Sequence, residues 1–112
     1  MDEKEPDIRL QARAAQASVP IEIKLADQSL TDLERGLREQ LCGRYLRAPE
    51  CKHGVYLIVH LRPRAKGWLN GDGEFLSFAQ VLVHLQGLAD EVAGAEVDSP
   101  QVQVCAIDVS DL

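Results

Sequence analysis

The sequence has no long hydrophobic run. Its longest uninterrupted apolar stretch, Val55 to Val59, falls far short of the roughly 20 residues that a bilayer-spanning helix needs. It also has no metal-binding cysteine spacing: Cys42, Cys51 and Cys105 are odd in number and form no CxxC, so free thiols in a reducing compartment are expected. His53, His60 and His84 are scattered, with no pair at i, i+4. Basic charge is scarce, with 12 Lys and Arg against 18 Asp and Glu, a net charge of -6 and a pI near 4.9. That balance argues against a protein whose main business is a non-specific grip on a phosphate backbone. It leaves a nuclease open, because carboxylates gathered for a metal make a site locally acidic. No Gly-rich phosphate loop and no Ser/His/Asp arrangement is evident. The opening Met1-Asp2-Glu3-Lys4-Glu5 is charged and lacks the apolar stretch of a signal peptide, so a cytoplasmic location with no membrane partner is expected.

What is present is a normal globular balance, 46% hydrophobic and 27% charged over 112 residues, which predicts one domain spanning 1–112, and the elements read below make it α/β. No repeat or linker divides it. Ile8, Leu10 and Ala12 alternate with Asp7, Arg9 and Gln11. From Val19 to Ala26, Ile21, Ile23 and Leu25 alternate with Glu22 and Lys24. Both segments read as strands with one buried face, joined as a hairpin through Ala14 to Ser18. Thr31-Asp32-Leu33-Glu34 is a capping box, with Ser29 as a rival N-cap. Leu30, Leu33, Leu37, Leu41 and Tyr45 then recur at helical spacing to about Leu46. Gly54 to Leu61 predicts a central strand covered on both faces. Arg62 to Gly73 reads as a loop. Ser77 and Gln80 form a second capping box, and Leu76 with Val81 fits a hydrophobic staple. Phe78, Val81, Leu82, Leu85, Leu88 and Val92 supply the buried stripe of that helix, with Gly94 at its C-terminal cap. Gln101 to Val109 is the last strand. The order β-β-α-β-α-β predicts a mixed sheet flanked by helices, with right-handed crossovers.

Glu22 and Lys24 are two apart on a strand, so both side chains leave one face, about 6.6 Å apart along the chain. With the hairpin turning near Ala15 and Gln16, Asp7 is expected opposite Lys24 and diagonal to Glu22. All three would share the polar face while Ile21, Ile23 and Leu25 fill the core. Two carboxylates and a lysine arranged this way suit a hard divalent cation with oxygen ligands. The ammonium can orient a water and help stabilise a pentavalent phosphate. The plainer alternative is an exposed face of an edge strand, with the opposite charges adding a little stability.

Pro6-Asp7, fourteen intervening residues and then Glu22-Ile23-Lys24 resembles the motif of the PD-(D/E)xK nucleases. Val19 to Leu61, with VPIEIKLAD, LREQLCGRYLR and HGVYLIVHL, is similar to the restriction-endonuclease-like domains of large bacterial proteins. The resemblance implies a phosphodiesterase acting on DNA and dependent on Mg2+ (or Mn2+). It implies Asp7, Glu22 and the Ile23 backbone carbonyl as metal ligands and Lys24 as the water-positioning group. Gln40 resembles the glutamine of the QxxxY motif of RecB-like members, although Tyr45 stands five residues on rather than four. The family core begins with a further helix and strand, where this sequence has only Met1 to Glu5. A short form or a fragment of a longer protein is therefore implied, with part of the sheet uncovered. Its bare edge would invite pairing with a second copy or with the missing N-terminal part. A non-catalytic interaction module that keeps the nuclease fold is the alternative function.

Arg62, Arg64 and Lys66, with Trp68, form the one concentrated basic patch. It could contact phosphates with Trp68 stacked on a base, or be a solvated loop anchored by a half-buried Trp68. Asn70-Gly71-Asp72-Gly73-Glu74 imitates a calcium loop but has Phe75 at the required glycine and Val81 at the terminal glutamate. It reads as a turn that positions the Ser77 helix.

Overall fold

Strand alternation and two capped helical repeats produce the expected α/β architecture. The computed structural model describes residues 8–12, 17–42, 52–94 and 101–111. Strand β1 (Ile8–Ala12) is followed by β2 (Ala17–Leu25) and helix α1 (Leu30–Arg35), which continues as a π-helical segment, Gly36–Cys42. Then come β3 (His53–His60), β4 (Trp68–Leu69), β5 (Phe75–Leu76), α2 (Phe78–Ala93) and β6 (Gln101–Asp108). The main sheet has the order β1-β2-β3-β6, with β1 antiparallel to β2 and with β2, β3 and β6 parallel.

Both crossovers step in the same direction across the sheet, from β2 to β3 and from β3 to β6. Two connections of the same hand that never reverse direction put both helices on one face. Leu33, Leu37 and Leu41 of the first crossover accordingly join Val81, Leu85 and Ala89 of the second in a single core over Tyr56, Ile58 and Val102. This is the face that carries Glu22, which is 5% exposed. The expected orientation of β2 is therefore reversed: Ile21 and Ile23 are only half-buried and Leu25 is 45% exposed. The same correction holds for β3, where Tyr56 and Ile58 are fully buried but Val55, Leu57 and Val59 are not. Among the described elements, none covers that second apolar face.

The hairpin register pairs Ile8 with Ile21 and Ala12 with Ala17. Setting Asp7 opposite Lys24 would pair Ile8 with Ile23, so the observed register differs from the expected one by two residues. Asp7 itself lies outside the described residues, as do Met1 to Glu5, Pro6, Tyr45 and Cys51. Ser29, not Thr31, caps α1, its hydroxyl accepting from the Asp32 N–H at 3.1 Å. The Ser77/Gln80 capping box forms as expected, and Gly94 ends α2 at φ 93°, a left-handed value that favours glycine. Val92, expected in the buried stripe, is exposed because it falls in the last turn of the helix.

The segment read as a loop contains β4, which pairs with β5. Asn70 makes the turn between them: its Oδ1 accepts the N–H groups of Asp72 and Glu74, each at 2.9 Å. Gln86 of α2 donates to the Val102 carbonyl and accepts from the Val104 N–H, both at 2.8 Å, occupying backbone groups of the edge strand β6.

Candidate functional site

Residues two apart on β2 bring Glu22 and Lys24 to the same side, and the face correction puts that side beneath α1 and the π-helical segment. Lys24 Nζ lies 3.4 Å from Glu22 Oε2, with the side chains 20% and 7% exposed. An ion pair this shielded is worth keeping only if both charges stay satisfied, because stripping solvent from them costs several kcal/mol. Glu22 is in register with Tyr56 on β3, and Lys24 with Ile58. The Tyr56 hydroxyl donates to the Leu33 carbonyl at 2.7 Å and so ties α1 to the sheet.

Gly36 makes the close fit possible. A Cβ there would lie 2.6 Å from Tyr56 Oη and 3.1 Å from Lys24 Cε, so any larger residue would push the helix off the sheet. Gln40, four residues on, reaches the same place: its Oε1 is 3.6 Å from that Cβ position. This oxygen is buried and has no hydrogen-bond partner among the described residues. Lys24, Gln28, Asp32, Arg35, Gly36, Glu39 and Gln40 line a cleft of about 210 Å3, onto which Lys24 opens while Glu22, 5% exposed, does not line it. A run of π-helix is uncommon and is often found at functional sites, and here it carries Gln40.

Three of the sequence-predicted residues, Glu22, Lys24 and Gln40, are thus brought together, with Ile23 between the first two in β2. Tyr56 and Gly36 were missed. The signals were a single hydroxyl in an otherwise apolar strand and an isolated glycine within a helical repeat.

The donor set is small. No group of three or more His, Cys, Asp or Glu is gathered among the described residues. That does not match a zinc site or a calcium cage. Mg2+ asks less of a protein than either, needing one or two carboxylates together with waters and substrate phosphates.

The basic patch is placed elsewhere. Trp68 is 2% exposed, its indole N–H donates to the Ala26 carbonyl at 2.9 Å, and its ring packs against His60 and Phe78. A ring buried this far offers no face to a base, so base stacking by Trp68 is replaced by an anchoring role. Arg64 donates to the carbonyls of Gly67 and Gln28 at 2.8 and 2.9 Å and stacks 4.9 Å from the Trp68 ring centre. It pins the loop to the β2–α1 turn. Arg62 and Lys66 are exposed. A larger hollow of about 540 Å3 lies between that loop and the ends of β2 and β3, but no acid–lysine pair opens into it. Comparison with known proteins found no matching family model, no similar curated protein and no similar solved structure.

Proposed function

We propose that this chain is a restriction-endonuclease-like domain of the PD-(D/E)xK class, a Mg2+-dependent phosphodiesterase acting on DNA. The observation that carries this reading is the shielded Glu22–Lys24 pair, whose lysine lines one cleft together with Gln40. An acid and a lysine held in this way on a sheet serve no packing purpose that an apolar pair would not serve better. Glu22, the Ile23 carbonyl and Asp7 would hold the ion, which when bound would activate water and neutralise phosphate charge. Lys24 then has a defined task. Its side chain lines the cleft, where the ammonium can hold a water by hydrogen bond and stabilise negative charge developing on a phosphate oxygen. The Gln40 amide, with an unsatisfied oxygen, can accept from that water and orient it.

Cleavage of single- and double-stranded DNA by wild type, Glu22→Gln and Lys24→Ala, with and without EDTA, tests the reading. Metal-dependent cleavage lost by about a hundredfold or more in both variants is expected. Equal cleavage by all three would expose a contaminant. A wild-type protein without cleavage, and without a rise in melting temperature in millimolar Mg2+, would leave the second reading, a non-catalytic interaction module. That second reading is favoured by the apolar face of Ile21, Ile23, Leu25, Val55, Leu57 and Val59, which no described element covers.

A further inference from the structure

We propose that Tyr56 is a positioning residue: its hydroxyl fixes where α1 changes into the π-helical segment and thereby aims Gln40 at the Glu22–Lys24 pair. The inference rests on the nuclease reading of that site and deepens it.

The junction falls at Gly36. The Gly36 N–H donates to the carbonyls of Asp32 and Leu33, so the Leu33 carbonyl already serves the turn in which the winding changes. The Tyr56 hydroxyl adds a second donor to that same carbonyl at 2.7 Å, from a side chain that is completely buried on the central strand. A hydroxyl fixed to the sheet therefore holds the one turn where partner spacing shifts from i+4 to i+5. Gly36 completes the arrangement, because a Cβ 2.6 Å from Tyr56 Oη would displace the hydroxyl from its place. Gln40 follows the junction by four residues, and its buried Oε1 lies in the same pocket as Lys24. Moving the junction by one residue exchanges an α-helical step for a wider π-helical one, so Gln40 changes both its angle around the axis and its height along it. A hydroxyl needed only for packing has no reason to act on Gln40.

Tyr56→Phe keeps the ring and removes the hydroxyl. Two measurements on the full chain decide the matter. The first is NMR of the Gln40 side-chain amide, assigned with Gln40→Ala and read without any substrate. In Tyr56→Phe this signal is expected to shift while the signals of α2 and β6 stay in place. The second is cleavage in Mg2+. Here kcat should fall about tenfold or more with KM little changed, because small misplacements of a positioned group are costly. Combined with Gln40→Ala, Tyr56→Phe should add no further loss. Gly36→Ala provides a second variant that displaces the hydroxyl from the other side, should Tyr56→Phe fail to fold, and it should move the same amide signal. An unmoved Gln40 amide in a folded variant overturns the proposal, as does full additivity of the two losses. If the wild type does not cleave, the nuclease reading fails on its own account, and the amide signal still decides the role of Tyr56.

Discussion

Removing the Lys24 ammonium would leave the Glu22 carboxylate, 7% exposed, without its counter-charge at 3.4 Å. On a solvent-facing lysine such a change would cost within about 0.5 kcal/mol. Beneath the helices it is expected to cost about 1–3 kcal/mol, since a shielded acceptor loses a charged partner. Lys24→Ala and Lys24→Met should both show the loss in urea denaturation, and Glu22→Gln with Lys24→Met should recover part of it. A Lys24→Ala protein as stable as wild type would mean that the pair is solvated and the cleft deeper than described. A second residue-scale expectation concerns Asp108. Hydrogen bonds from the Ser110 hydroxyl and N–H, with a smaller contribution from the charge of His60, hold its carboxyl below the ordinary aspartate range. A depressed carboxyl contributes stability that is present above its unfolded value and is lost as pH falls through the folded one. Ser110→Ala should therefore raise the Asp108 midpoint in an NMR titration. An unchanged midpoint would rule out the hydroxyl as the main cause.

At the scale of elements, the turn into β4 depends on one glycine. Gly67 has φ 81°, and a Cβ there would lie 2.2 Å from the Leu76 carbonyl oxygen of β5. Gly67→Ala is expected to destabilise the protein by about 1–3 kcal/mol through backbone strain, while Gly71→Ala, with open space around it, should change little. Equal effects in thermal denaturation would show that the β4–β5 pairing contributes nothing to the fold. Such local features were legible in the sequence. Ser77 and Gln80 announce the start of α2, Gly94 its end, and the Asn70 turn its own geometry, because each depends on neighbours a few residues away. The faces of β2 were not legible. Alternation separates Ile21, Ile23 and Leu25 from Glu22 and Lys24, but which set is covered depends on where the crossovers land, and that is set by strand order. The partnership of Glu22 with Tyr56 was hidden for the same reason, since it is created by the register between strands 34 residues apart. Glu22 and Lys24 could be singled out because their types and two-residue spacing are local, and Gln40 through a resemblance of motif, neither of which depends on strand order.

At the scale of the whole molecule, one apolar sheet face and the β6 edge of the main sheet bear on how the protein should associate. Parallel sheets are ordinarily covered on both faces, and here the described helices cover one. Three strands about 4.8 Å apart, each offering about five residues at ~3.3 Å rise, frame a face of roughly 240 Å2. A stable dimer commonly buries about 800 Å2 on each partner, so this face alone supports only weak association. The edge is less open than a bare strand would be. Gln86 occupies the Val102 carbonyl and the Val104 N–H, two groups that a strand from a second copy would need. Sedimentation should therefore show particles of 12.4 kDa at micromolar concentration, with self-association emerging only toward about a millimolar, where a binding energy of about 4 kcal/mol first populates a dimer. Leu57→Glu, on the half-buried face, should suppress that association, and Gln86→Ala should strengthen it by opening the edge. A tight dimer at micromolar concentration that survives Leu57→Glu would place the contact on another surface and remove the uncovered face as its cause.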